Sequence, residues 1–452
     1  MKGVPTYVRR SSLPVSAEAA FAWHTRPGAL ERLVPPWQRV EVLEAAPLAE
    51  GSRTVLRLGF GPFHARWVAL HRDVVPGSGF TDEQVAGPFR RWVHAHRFLS
   101  EGEGTCALED RVRWEPPFGL PAPALASAID RAFAFRHRRL AEDLRGHAAA
   151  GLPAQRIAVT GSTGLIGSAL LPFLTTAGHR VDRIVRHGGP GIRWDPAAGT
   201  LDASALDGVD AVVHLAGENI GGGRWTPARK RAIVESRVRG TDLLARTLAG
   251  LPRPPRVLVS ASAVGFYGSG PREADESTPS GSGFLAEVVR AWEDALRPAE
   301  QAGIRVVRVR AGVVLSARGG MLARVRLPFA AGVGGPIGSG EQPLSWIALD
   351  DLLDVFLLAL TDLNLAGPVN AVAPAPTTNA GFTAALARVL RRPALVRLPT
   401  FVVRTIFGDM GEELLLSGQA VRPSRLTALG FRWRAPELEQ ALARELGACP
   451  RS

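Results

Sequence analysis

Two cysteines, Cys106 and Cys449, stand far apart in a chain of 452 residues, so neither a disulfide framework nor a cysteine metal site is expected. Lysine is as scarce: Lys2 and Lys230 are the only two, beside two tyrosines, Tyr7 and Tyr267. Long apolar runs are missing too. A bilayer span needs about 18–20 apolar residues, and a typical candidate, Leu352 to Leu360, is shorter and interrupted by Asp354. The N-terminus lacks an apolar core before a small-residue cleavage site, so a cytoplasmic protein without a membrane segment is expected.

What is abundant is arginine. It carries nearly all the positive charge behind a net charge of +12. It is spread along the chain rather than clustered, which argues against a nucleic-acid partner. Denser runs, Arg131 to Arg145 and Arg224 to Arg239, read as solvated faces of amphipathic helices. The length exceeds one ordinary core, so two or three domains are expected.

The most informative stretch is Arg156 to Gly167. Ile157-Ala158-Val159 reads as a buried parallel strand, Gly161-Ser162-Thr163-Gly164-Leu165-Ile166-Gly167 as a glycine turn, and Leu170, Leu171 and Leu174 as the helix that follows. Such a turn suits a dinucleotide pyrophosphate. Gly161 permits the bend, Gly164 lets phosphate approach the backbone, and Gly167 lets helix and strand pack, while the helix start offers N–H groups. Further strands at 180–185, 210–215, 256–260 and 305–309 alternate with helices at 165–177, 226–249 and 283–302. That pattern predicts a doubly wound α/β parallel sheet.

The first 148 residues read differently. Strand-like runs at Tyr7–Leu13, Val40–Leu43, Ser52–Phe60, Ala65–Val74, Arg90–Leu99 and Cys106–Trp114 surround a helix capped by Ser16, and Ala124 to Leu144 closes the segment as a long helix. A curved sheet gripping a helix is expected, with a cavity between; Trp23, Trp37, Trp67, Trp92 and Trp114 suit either an apolar lining for it or an aromatic core. His94 and His96 share a strand face near His64 and His71. No carboxylate or cysteine stands at ligand spacing beside them in the sequence, so no metal is assigned.

Two resemblances follow. Pro14-Val15-Ser16-Ala17-Glu18-Ala19-Ala20-Phe21, Gly87-Pro88-Phe89-Arg90-Arg91-Trp92-x-His94-x-His96-x-Phe98 and Gly104-Thr105-Cys106-x-Leu108-x-Asp110 resemble the START-like, polyketide-cyclase/ligand-transport superfamily. That likeness implies an α+β helix-grip domain and a hydrophobic ligand. From residue 156 the chain resembles extended short-chain dehydrogenase/reductases. The carrying stretches are the glycine turn, His214-Leu215-Ala216-Gly217, Ser260-Ala261-Ser262-Ala263-Val264-Gly265-Phe266-Tyr267-Gly268 and Trp346-Ile347-x-x-Asp350-Asp351-Leu352. Ala216-Gly217-Glu218-Asn219-Ile220, Ser236-Arg237-Val238-x-Gly240-Thr241 and Glu412 to Gln419 narrow this to the nucleoside-diphosphate-sugar-epimerase-like subfamily with its C-terminal tail. The organisation expected is a START-like domain over 1–148, a linker over 149–155, a Rossmann domain over 156–395 and a tail over 396–448 that caps the substrate side.

An acid after the second strand would select NAD; Arg186 stands there, with His187 next, and a guanidinium suits the 2′-phosphate of NADP(H). The cofactor residues expected are Gly161, Ser162, Thr163, Gly164, Leu165, Ile166, Gly167, Arg186, His214, Ala216, Gly217 and Ser260. The resemblance also implies a Tyr-x-x-x-Lys proton-transfer pair, and none exists: Leu285 and Val289, or with a shift of one Phe284 and Val288, occupy its places. Ser262, Tyr267 and Glu218 remain as catalytic candidates. Arg318, Arg324 and Arg326 suit an anionic substrate. Two functions stay open: an NADP(H)-dependent oxidoreductase or epimerase with unusual proton transfer on an unidentified small or apolar substrate, and a non-catalytic NADP(H)-binding or redox-sensing protein with a hydrophobic ligand in its first domain. The sequence does not address oligomeric state.

Overall fold

The computed structural model describes residues 5–117, 122–151, 153–186 and 188–448; Lys2, His187 and Cys449 lie outside them. Two compact units emerge, the first running to Pro153 and including Pro172–His179, the second comprising Ala154–Leu171 and the chain from Arg180 on. Among the described residues no helix is long and apolar enough to cross a membrane.

The first unit is a seven-stranded antiparallel sheet. Its strands are β1 (Thr6–Leu13), β2 (Arg39–Ala45), β3 (Arg53–Phe60), β4 (Phe63–Val75), β5 (Gly79–Ala86), β6 (Arg91–Gly102) and β7 (Thr105–Glu115), in the order β1-β7-β6-β5-β4-β3-β2. Ser16 starts helix α1 (Ala17–Thr25) by accepting a hydrogen bond from Ala19 N at 3.3 Å; α2 (Ala29–Leu33) and the long α3 (Ala122–Ala150) follow. Alternation along β6 and β7 sends Phe98, Leu108 and Val112 inward, where α1 and α3 cover them with Ala20, Phe21, Phe133 and Leu140. Helix α3 runs six residues beyond the Leu144 expected from its pattern, taking in Ala149 and Ala150, which read as the start of a linker. The tryptophans divide among clusters instead of lining one cavity: Trp23 is core, Trp114 packs with Ile129 and Phe133, and Trp67 stacks edge-on against Trp92 at 5.2 Å.

Strand β5 was not foreseen, because Thr81-Asp82-Glu83-Gln84 is polar and poor in β-branched residues. Pairing supplies what propensity does not: its register sets Asp82 opposite His94, and β7 sets Asp110 opposite His96. Carboxylates absent from the histidines' sequence neighbourhood thus reach them across the ladder, which corrects the expectation from spacing. Asp82 pairs with His71 Nδ1 at 2.6 Å and His96 Nε2 at 3.3 Å, and Asp110 with His137 Nε2 at 3.0 Å. Burial alone would lower His96, yet Asp110 and then Asp82 outweigh it and push its pKa up to about 9. Burial, reinforced by the charge on His96, pushes His94 and His24 down to about 4.

The second unit carries an eight-stranded sheet. Strands β8 (Arg156–Thr160), β9 (Arg180–Val185), β10 (Ile192–Asp195), β11 (Thr200–Leu201), β12 (Ala211–His214) and β13 (Val257–Ala263) are joined by Arg305–Ala311 and Gly367–Ala371 in the order β11-β10-β9-β8-β12-β13, then those two. All neighbours are parallel except β10 and β11. Helices α4 (Leu165–Thr176) and α5 (Pro227–Ala249) follow β8 and β12. Ile157, Ala158, Val159, Val212 and Val213 are wholly buried, as strands covered on both faces require. The doubly wound sheet expected from the alternation is present. The expected helix 283–302 is two, α6 (Phe284–Asp294) and Arg297–Gln301, because Pro298 in the first turn of the second cannot continue the ladder of the first.

The histidine cluster dictates a pH profile for the first unit. The raised pKa of His96 stabilises the fold fully below its unfolded value near 6.5, and this contribution disappears as pH rises through about 9. The lowered His94 and His24 act oppositely, stabilising above 6.5 and losing this as pH falls through about 4. Thermal unfolding of chelator-treated protein should therefore peak near pH 6.5 and fall on both sides, with His96→Gln flattening the alkaline limb.

Candidate functional site

The order of the sheet reverses at β8, which lies between β9 and β12, and the crevice beyond the carboxyl ends of β8 and β12 is where such sheets bind ligands. The turn after β8 is held there by contact. Gly161 adopts φ of +66°, and a Cβ on it would come within 2.7 Å of Leu215 C and 2.8 Å of Ala216 N. Thr160 Oγ1 accepts hydrogen bonds from two successive amides of that segment, Leu215 N at 3.0 Å and Ala216 N at 3.1 Å. A Cβ on Gly167 would fall 2.2 Å from Gly161 O, so α4 starts against the turn itself. At Gly164 the added atom would meet only Gly161 O, at 3.3 Å, leaving that side of the cradle to an incoming group. Ser162 is buried, while Leu165 and Ile166 open α4.

Arg186 follows β9 directly and is exposed. A second arginine, not foreseen, reaches the same turn: Arg183 Nε donates to Ser162 Oγ at 3.0 Å. Its alternation on β9 was visible in the sequence, but only the parallel pairing of Arg183 with Val159 places it beside the glycine turn. Ala216 and Gly217 continue from β12 along the crevice. His214 and Ser260 lie deeper. His214 is fully buried, with Nδ1 2.8 Å from Thr160 Oγ1 and Nε2 2.9 Å from Thr241 Oγ1, and burial pushes its pKa down to about 4. Ser260 Oγ donates to Ala261 O at 3.0 Å. Both side chains are thus engaged within the sheet, where their contacts hold the strand ends.

The catalytic candidates separate into two groups. Ser262 Oγ donates to Glu293 Oε1 at 2.6 Å. Arg310 clamps the same carboxylate through Nε at 2.8 Å and Nη2 at 2.7 Å, and its Nη1 donates to Tyr267 Oη at 3.0 Å. Tyr267 in turn donates to Asn370 Oδ1 at 2.7 Å. Burial raises the phenol's pKa above its ordinary value, against the opposing pull of Arg310. Ser262 and Tyr267 are therefore members of one buried network joining three strands of the sheet to α6. Where a Tyr/Lys pair would stand, Leu285 and Val289 pack towards Gly265.

Glu218 has different company. Its Oε1 accepts from Arg229 Nη1 at 2.7 Å, and the carboxylate is about a third exposed at 34%. Arg237 lies beside Gly217, stacked 5.1 Å from the centre of the Trp292 ring; burial pushes its pKa down to about 10, with Glu218 acting the other way. Arg324 donates to Gly221 O at 2.7 Å. Three guanidinium groups thus surround the segment 217–221, of which the sequence singled out only Arg324. The tail adds structure: Glu413 accepts from Phe284 N and Leu285 N at 3.1 and 3.2 Å, capping α6, while Met410 and Leu414 pack with Trp225, Ile233 and Val288.

Comparison with known proteins agrees with these parts. Residues 157–372 match the NAD dependent epimerase/dehydratase family, 398–445 a domain of unknown function (DUF1731), and 13–135 the polyketide cyclase/dehydrase and lipid transport family. An epimerase family protein of Mycobacterium bovis is 45% identical over 290 residues, 63% of this chain and 96% of the relative. The crystal structure of a nucleoside-diphosphate sugar epimerase from Corynebacterium glutamicum is 36% identical, with a TM-score of 0.81 over 98% of this chain and 90% of that one. The human epimerase family protein SDR39U1, solved with NADPH, is 38% identical, with a TM-score of 0.61 over 64% of this chain and 99% of its own.

The cradle's geometry separates two glycine variants. Gly164→Ala should weaken dinucleotide binding at least about tenfold, equivalent to ~1.4 kcal/mol, with little change in thermal stability. Gly167→Ala should lower both, because α4 must move off the turn. Fluorescence titration with NADPH and a melting curve distinguish them.

Proposed function

Because the chain belongs to the NAD-dependent epimerase/dehydratase family, we propose that its second unit is an NADP(H)-dependent oxidoreductase or epimerase acting on an anionic small molecule. The observation that carries this reading is the glycine cradle with exposed Arg186 at the end of β9 and Arg183 fixed beside the turn. The cradle admits a pyrophosphate where a Cβ on Gly164 would intrude, and the arginine replaces the acid that would hold an unphosphorylated ribose. The relative solved with NADPH supports the same cofactor. The dinucleotide, when bound, supplies hydride transfer; the chain's own groups must supply position and proton.

Ser262 and Tyr267 hold the frame, since both hydroxyls are committed to Glu293, Arg310 and Asn370. Glu218 is the acid/base of this reading: it follows β12 at the carboxyl edge, beside Gly217, and is reachable from solvent. Arg229, Arg237 and Arg324 suit a phosphate or carboxylate on the substrate, and the nucleoside-diphosphate sugar epimerase likeness points to the same class.

Incubation with NADP(H) and a panel of nucleotide sugars and carbonyl compounds tests the chemistry. Turnover that falls about 10²–10⁴-fold in Glu218→Gln, with unchanged cofactor affinity, is the expected result; no turnover and no oxidation of bound NADPH across the panel would defeat the enzymatic reading. Cofactor choice is tested separately. The parent should prefer NADPH to NADH, and Arg186→Ala should erode that preference by about tenfold or more through loss of a charge-assisted contact. Equal affinities in the parent would defeat the assignment.

A further inference from the structure

Two long stretches of the second unit lack acidic residues altogether. No aspartate or glutamate stands at 301–340 or at 363–408, although the chain has 42. The fold joins parts of these stretches into one surface. Past helix Gly320–Ala330, Arg392 Nε donates to Ala330 O at 3.1 Å, Val396 N to Gly334 O at 3.2 Å and Leu398 N to Pro336 O at 2.9 Å. A Cβ on Gly335 would collide with Val396 O, so the two segments lie backbone against backbone. Helix Thr400–Phe407 starts two residues after Leu398.

This surface presents apolar side chains to solvent. Leu327 is 66% exposed, Val333 57%, Leu395 86%, Val396 55% and Phe401 71%. The two helices already bury a core face through Leu322, Phe329 and Val403, so these five are surplus to packing. Single exposed apolar residues are ordinary, but five on one joined surface mark a place of interaction. Arginines stand with them: Arg326 precedes Leu327, Arg397 follows Val396, and Arg391 lies four residues before Leu395. None of these three has an acidic partner among the described residues, whereas Arg388 and Arg404 nearby are matched by Glu439 and Glu412.

We propose that this face of the second unit docks on an anionic phospholipid bilayer, its apolar side chains entering the headgroup layer and Arg326, Arg391 and Arg397 meeting lipid phosphates. Both features find a partner there. The apolar groups gain the hydrocarbon boundary, and each arginine adds its own attraction to the negative surface potential. Side chains that project as far as Leu395 and Phe401 suit a soft layer that they can enter, whereas an amphipathic peptide is held in a groove. A second copy across a two-fold axis would set the unmatched arginines against their own kind, with no acid in either stretch to separate them. The attachment is to one leaflet, since no helix among the described residues can cross a membrane. It does not depend on the cofactor site.

Co-sedimentation of the full-length chain with vesicles tests this, using phosphatidylcholine alone and phosphatidylcholine in which about a third of the lipid is phosphatidylglycerol. Binding to the anionic vesicles should be at least about tenfold tighter than to the neutral ones and should weaken as salt is added. Leu395→Ser combined with Phe401→Ser should lower it about tenfold or more, and so should Arg391→Gln combined with Arg397→Gln. Phe63→Ser, at a residue 74% exposed in the first unit, should leave it unchanged. Hydrogen–deuterium exchange of the parent should slow at 327–333 and 395–401 when anionic vesicles are added, which decides the matter should a variant fail to fold. No binding to anionic vesicles, binding undiminished in folded Leu395→Ser/Phe401→Ser, or a lipid-free dimer that already protects these segments would overturn the proposal.

Discussion

The close approach of the turn after β8 to the backbone leaving β12 is the constraint on which the second unit depends. No side chain fits at Gly161 between the two segments, and Thr160 binds them by accepting from two successive amides. That hydroxyl still has its own proton for His214 Nδ1, whose other nitrogen reaches Thr241 on α5. A chain of short contacts therefore runs from the cradle through two strands to the helix behind them. The neutrality of His214, enforced by burial, is what lets this chain work without an uncompensated charge in the sheet. Cofactor geometry and sheet packing are consequently one property, and the cradle cannot shift without disturbing the core.

A second constraint occupies the place where proton transfer would be sought. Glu293 and Arg310 form a bidentate pair inside the protein, with side chains only 10% and 5% exposed. Such a pair is of little net value as a source of stability, because desolvation offsets its attraction. Its geometry explains its presence better than its energy. It fixes α6 against the strand Arg305–Ala311, and it takes up Ser262 and Tyr267 as further partners. Removing either ion would strand the other, so the network holds as a unit. The hydroxyls that sequence comparison nominates for chemistry are thereby the bolts of the frame, and the less buried Glu218 is left facing the arginines.

How far the sequence led depended on whether the deciding contact was local. Strand, glycine turn and helix start are consecutive, so the cradle was readable in Gly161, Gly164 and Gly167, and the loss of the Tyr/Lys pair could be read from composition alone. Arg186 was readable by its offset from the turn. Arg183 was not, because its partner Ser162 is set by parallel pairing of strands 24 residues apart in register, Arg156 against Arg180. The broken helix after Asp294 was signalled by Pro298 but overridden by an apolar stripe, Val288, Val289, Trp292 and Leu296, that continues across the break. Arg229 and Arg237 were hidden for a different reason: in a chain so rich in arginine, no single one stands out until its neighbours are known.

The first unit shows the same rule in its strongest form. His94 and His96 alternate on one strand and were recognised as sharing a face, but the residues that define their chemistry lie on the strands at either side. Asp82 comes from β5, the strand whose polar sequence gave no sign of itself, and Asp110 from β7. Antiparallel register is fixed by the apolar face: Phe80, Phe98 and Leu108 must all point inward, and with a period of two that choice sends Asp82, His96 and Asp110 inward with them. The same registry that builds the hydrophobic core thus imports two carboxylates and two imidazoles into it. An interior arranged purely for an apolar ligand would have no use for them. Held by His71 and His137 on one side and ion-paired with one another at 2.8–3.3 Å on the other, they give this unit a buried charge network beside its apolar core.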